Sequence, residues 1–164
     1  MFVRDFVHVG QPFESVAPRF VADTSWLSPI AEVAIERARD VVVSLFDEGD
    51  HLRERFGPVH LEIGPARARA TSLLVPMWLL SGSGGPAGTT GAGGSTGSAV
   101  PDLSGDLEVA PVGATRSLLA FGATYRRPAQ EAVTTHRVER VAESAVRSFL
   151  DGIATALTRP VSAI

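Results

Sequence analysis

The feature that most constrains this chain is its C-terminal end, from about Pro128 to Arg159, where apolar side chains recur every three to four positions. Val138, Val141, Ala142, Ala145, Val146, Phe149, Leu150, Ile153 and Leu157 share one side, opposite Glu139, Arg140, Glu143, Arg147 and Asp151. That spacing predicts one long amphipathic helix. Glu143 precedes Arg147 by four residues, the favourable order for an ion pair along a helix. An apolar side this broad needs a partner surface, because docking rather than intrinsic propensity holds such a helix.

The middle of the chain supplies strands for that surface. From Phe2 to Val9, Val3, Asp5, Val7 and Val9 alternate with Phe2, Arg4, Phe6 and His8, the period of a strand. Val59, Leu61 and Ile63 alternate with His60 and Glu62, Ala66 to Thr71 alternates alanine with arginine, and Ser72 to Leu80 is apolar on both faces. The last of these predicts a central strand or one lining an interior, and Pro76 within it predicts an edge position or a bulge. Asp106 to Pro111 and Thr115 to Arg126 flank a turn at Val112 to Ala114 and predict a β-hairpin.

Two helices are predicted after the first strand. Gly10, Gln11 and Pro12 open a short one ending near Phe20, broken at Pro18. Ser28 and Pro29 read as cap and first residue of a longer one, with Ile30, Val33, Ala34, Ala38, Val41, Val42, Leu45 and Phe46 on its apolar side. Gly49 closes it, and Asp50 to Phe56 could add a further turn.

A chain of 164 residues fits one domain, spanning 1–164. Residues 81–99 hold half of its 16 glycines, with Ser, Thr, Ala and one Pro for the rest, and read as a flexible insertion. A net charge of −3 and a pI near 5.8 give no electrostatic reason to approach nucleic acid. The absence of cysteine excludes disulfides, zinc–thiolate sites and thiol nucleophiles. The opening MFVRDFVHVG lacks the pattern of a signal peptide, and no apolar run is long enough to span a membrane, so the expected location is the cytoplasm.

Motifs for chemistry are sparse. His8, His51, His60 and His136 lack any metal-ligand spacing, so no metal is expected. His60 and Glu62 share a strand face, but one that alternation turns toward solvent. The glycine-rich stretch has no Gly-Lys-Ser/Thr ending, and no nucleophile elbow follows a strand. No catalytic residue and no cofactor are predicted. His136, Arg137 and Arg140, with Arg126 and Arg127 before them, form a basic cluster that could hold a ligand carboxylate, an acidic partner or only solvent.

Several segments carry a resemblance. VHVGQPFESVAPRFVAD, Val75-Pro76-Met77-Trp78, Gly105-Asp106-Leu107-Glu108-Val109-Ala110-Pro111, Gly122-Ala123-Thr124-Tyr125-Arg126-Arg127-Pro128 and the helix from His136 through Phe149-Leu150 follow one another in order. Together they resemble the helix-grip fold of the START-like (SRPBCC, polyketide cyclase-like) superfamily, in particular uncharacterised members of actinobacterial type. The resemblance implies an α+β fold: an antiparallel sheet of about five or more strands wrapped around the C-terminal helix. It also implies an apolar site between sheet and helix, lined by Leu73, Val75, Met77, Leu107, Val109, Leu119 and Phe121 and by Ala142, Ala145 and Phe149. Trp26, Trp78 and Tyr125 would stand at its mouth. The same side chains serve equally well as a packed core.

The function so implied is binding of an apolar or lipid-like small molecule, without catalysis. One alternative is a polyketide cyclase or aromatase-like enzyme, which needs an inward Asp, Glu, His, Arg or Tyr. The other is a structural or interaction module with a filled core, forming a homodimer.

Overall fold

The alternation at the N-terminus produces β1 (Phe2–Val9), whose Val3, Asp5, Val7 and Val9 turn inward while Phe2, Arg4, Phe6 and His8 face solvent. The computed structural model describes residues 1–45, 59–80, 101–125 and 135–159. Phe46, the turn expected at 50–56, the insertion at 81–99, Arg126 and Arg127, and the start of the last helix from Pro128 lie outside the described residues.

Two short helices follow, α1 (Phe13–Val16) and α2 (Arg19–Ala22). Pro18 separates them as expected, and its carbonyl accepts the amides of Val21 and Ala22 at 3.1 Å each. The long helix α3 (Leu27–Leu45) begins earlier than Ser28 and Pro29 predict. The Leu27 amide donates to the Thr24 carbonyl at 3.0 Å, while the Asp23 carboxylate accepts the Ser25 amide at 2.9 Å, so the turn at Asp23 starts the helix. Its buried stripe is Leu27, Ala31, Ala34, Ile35, Ala38 and Val42, whereas Val33, expected on the apolar side, is 52% exposed. Val33 and Ile35 lie two positions, about 200°, apart around the helix and so flank the stripe on opposite sides, and a modest turn of the buried face exposes one and buries the other.

The sheet has six antiparallel strands in the order β1-β6-β5-β4-β2, with β3 also paired to β4. These are β2 (His60–Ile63), β3 (Arg67–Ala68), β4 (Leu73–Leu80), β5 (Leu103–Val112) and β6 (Arg116–Tyr125). Ile63 faces Met77 and Arg67 faces Leu74, so the edge segment carries one residue more than β4 between those pairs. The extra residue is a bulge at Gly64–Ala66, opposite Pro76, whose carbonyl accepts the Gly64 amide at 2.8 Å. The proline's missing donor thus falls where the ladder is interrupted. The hairpin of β5 and β6 closes through Gly113 at φ +67°, a conformation that favours glycine. Gly105 meets a different need: a Cβ there would lie 2.0 Å from the Gly122 carbonyl oxygen.

The last helix, α4 (Thr135–Thr158), packs chiefly against α3 and β1. Its predicted stripe, Val138 through Leu157, is buried throughout. Gly152 permits the close crossing with α3, since a Cβ at that position would stand 2.5 Å from Cγ2 of Ile30. At the C-terminal end, where helix carbonyls lack partners, the Gln11 side-chain amide donates to Leu157 O at 2.7 Å and the Arg19 guanidinium to Ala156 O at 3.4 Å. The fold is the helix-grip arrangement of an antiparallel sheet and a long C-terminal helix. Among the described residues no helix is long and apolar enough to cross a membrane.

Candidate ligand-binding cleft

The inner row of β4 runs through Leu73, Val75, Met77 and Leu79, because alternate residues of a strand share a face. Val75, Met77, Val109, Leu119, Phe121, Ala142, Ala145 and Phe149 come together in one continuous buried cluster with Leu73 and Leu107. The Phe121 and Phe149 rings meet edge to face, 5.9 Å between centroids. Side chains of β4, β5, β6, α3 and α4 all contribute to this cluster.

The three residues expected at a mouth stand apart. Tyr125 is buried at the end of β6. Its phenol is pushed above the usual tyrosine range by burial and then by the negative charges of Glu139 and Glu143. Trp26 is half-buried beside Phe20, with ring centroids 5.3 Å apart, and its indole N–H donates to the Arg19 carbonyl at 3.2 Å. Arg19 also reaches Ala156, 17 positions from Glu139, which is roughly 25 Å along α4. Trp78 is on the outer face of the sheet, 41% exposed, because it alternates with the inward Met77 and Leu79. Trp26, Trp78 and Tyr125 thus occupy three separate positions.

A cleft opens instead between the α1–α2 pair and the hairpin of β3 and β4, with a volume of about 800 Å³. Phe13, Ala17, Pro18, Val21 and Ala22 form one wall, and Ala68, Ala70 and Leu73 the other, with Pro111 of β5 beside them. The hairpin wall is set by a tight loop at Ala70 and Thr71, across which the Arg69 amide donates to the Ser72 carbonyl at 2.7 Å. Glu14, Arg69, Thr71 and Ser72 supply the polar groups. Leu73 belongs both to this wall and to the buried cluster, so the cleft abuts the core at the start of the inner row. The exposed apolar Val21 was the one mark of this wall in the sequence, and a short helix gives too little periodicity to read it.

A second hollow, of about 450 Å³, lies between β1 and α4 and is lined by Val3, Arg4, Asp5, Arg140, Glu143, Ser144 and Arg147. Arg147 pairs there with Asp5, Nε to Oδ2 at 2.6 Å, rather than with Glu143 as the helix spacing predicts. The other Asp5 oxygen accepts the Phe6 amide at 2.8 Å. Of the expected basic cluster, Arg140 borders this hollow and His136 is exposed. His60 and Glu62 lie 3.5 Å apart on the outward face where alternation puts them. Among the described residues no three His, Asp or Glu side chains converge on a metal position.

No family model matches the chain, and no curated protein does. Among solved structures, a conserved protein from Geobacillus kaustophilus is similar with a TM-score of 0.53 at 9% identity, over 96% of this chain and 95% of that one. A hypothetical protein from Helicobacter pylori gives a TM-score of 0.49 at 10% identity, over 95% and 87% of the two chains. An aromatase/cyclase from Streptomyces sp. R1128 gives 0.36 at 14% identity, over 100% and 99%. The likeness to the Geobacillus protein is one of fold.

Proposed function

We propose that this protein binds an apolar small molecule, and that the ligand enters between α1–α2 and the β3–β4 hairpin. The observation that carries this reading is the cleft of about 800 Å³, walled mainly by Phe, Val, Leu, Pro and Ala side chains. Its volume falls within the roughly 300 to 1,000 Å³ of small-molecule sites, and a few polar groups at an apolar wall are what orient a ligand in such sites. On this proposal Leu73 is the point where the ligand meets the inner face. Val75, Met77, Val109, Leu119, Phe121, Ala142, Ala145 and Phe149 form the floor behind it.

Titration with fluorescent fatty acids and polycyclic aromatics tests the reading, alongside native mass spectrometry of gently purified protein. Saturable binding in the micromolar range is expected for the wild type. Ala17→Trp, which places an indole between the two walls, should abolish it while circular dichroism and the melting transition stay unchanged. If no probe binds the wild type, the reading is wrong.

A further inference from the structure

Resting on the binding function just proposed, we infer that the ligand carries one anionic head group, which Ser72 and Arg69 hold at the hairpin side of the cleft. Ser72 is one of two buried polar residues among the described ones, at 7% exposure, and it lines the cleft. The other, Ser117, donates its hydroxyl to the Gln11 carbonyl at 2.8 Å. The Ser72 hydroxyl has no such partner among the described residues. That hydroxyl is not among the fully enclosed side-chain atoms left without a partner, so it opens onto the cleft and can donate to a ligand acceptor there.

Arg69 faces Ser72 directly across the two-residue loop, joined to it by the backbone hydrogen bond of 2.7 Å, so the two side chains share one face of the hairpin. Arg69 is exposed and makes no ion pair among the described residues. It stands at a lip, since it also borders a small groove on the outer face with Asp106 and Glu108. It pairs with neither there, and Glu108 lies 3.9 Å from Arg4. A neutral donor and a guanidinium side by side suit a carboxylate, which accepts from both. On the opposite wall Glu14 is the other charged residue of the cleft, and it disfavours an anionic group against that wall. The apolar remainder of the ligand then lies along Phe13, Ala17, Val21 and Leu73.

Dodecanoate and dodecanol, which share a chain and differ in the head, separate this inference from the function on which it rests. Isothermal titration of both into the wild type, Ser72→Ala and Arg69→Gln should give the acid an advantage of about tenfold or more in the wild type, as a charge-assisted hydrogen bond provides. Each substitution should erase most of that advantage and weaken dodecanol binding far less than dodecanoate binding. Equal affinities of acid and alcohol for the wild type would overturn the head-group assignment while leaving apolar binding standing. So would equal weakening of both by the substitutions. Binding of neither compound would overturn both proposals.

Discussion

Gly152 of α4 lies directly against Ile30 of α3: a Cβ added to the glycine would stand 2.5 Å from the isoleucine Cγ2. The contact sets how closely the two long helices cross. Ile30 is β-branched and stiff at its first torsion, so it cannot swing away cheaply. Gly152→Ala should lose up to about 2 kcal/mol of stability, overpacking of about 1–3 kcal/mol being set against the roughly 1 kcal/mol that alanine gains in a helix. Urea denaturation measures this. The double variant with Ile30→Ala should show a favourable coupling between the two sites, and strict additivity would refute the contact as the cause.

The pair formed by Asp5 and Arg147 ties β1 to α4 at 2.6 Å, yet the arginine side chain is 59% exposed. Arg147→Ala should therefore cost only about 0.2–1 kcal/mol, and less at high salt. Asp5→Ala should cost more, because it also removes the acceptor of the Phe6 amide. Denaturation of both variants at low and high ionic strength would reveal the difference, and a larger loss for Arg147→Ala would contradict it.

Gln11 closes the far end of α4 through its 2.7 Å bond to the Leu157 carbonyl. Gln11→Ala should cost about 1 kcal/mol. Its local signature is faster amide hydrogen exchange at Thr158 and Arg159, with the middle of the helix around Ala145 unaffected. Uniform acceleration along α4 would count against a capping role.

Tyr125 makes stability fall at high pH. Burial, reinforced by Glu139 and Glu143, raises its phenol above the ordinary value of 10.0. In the unfolded chain the phenol ionises near that ordinary value, so there the unfolded state sheds a proton that the folded state retains. Stability is fully present below pH 10.0 and declines as the pH climbs through the raised folded value. Because the chain has a single tyrosine, phenolate absorbance reports this group alone. Its midpoint should exceed that of the urea-unfolded protein and drop in Glu143→Gln; a folded midpoint at or below the unfolded one would exclude the effect.

Periodic elements were legible in the sequence because their information is local. The inward face of β1 and the stripe of α4 follow directly from spacing, and Pro76 announced the bulge that the edge segment supplies at Gly64–Ala66. The phase of α3 was harder, since Val33 and Ile35 are chemically alike and only the packing partner decides between them. What joins distant segments left little trace. Nothing local marks Asp5 as the partner of Arg147, nor Ile30 as the reason for a glycine within a helix. The cleft is the extreme case: Ala17, Ala22, Ala68 and Ala70 carry no chemical mark, and they become walls only when α1–α2 and the hairpin are brought face to face.

Pro76 has a further effect through the bulge opposite it. Among the described residues, the row that ends the sheet beyond β4 is divided into four residues of β2 and two of β3. A straight, uninterrupted border of free amides and carbonyls invites strands of neighbouring molecules to add on, and this border is too short and too kinked to template them. The proline that interrupts pairing within the molecule thereby blunts this edge, whereas β1, eight residues long and paired to β6, forms the opposite one among the described residues.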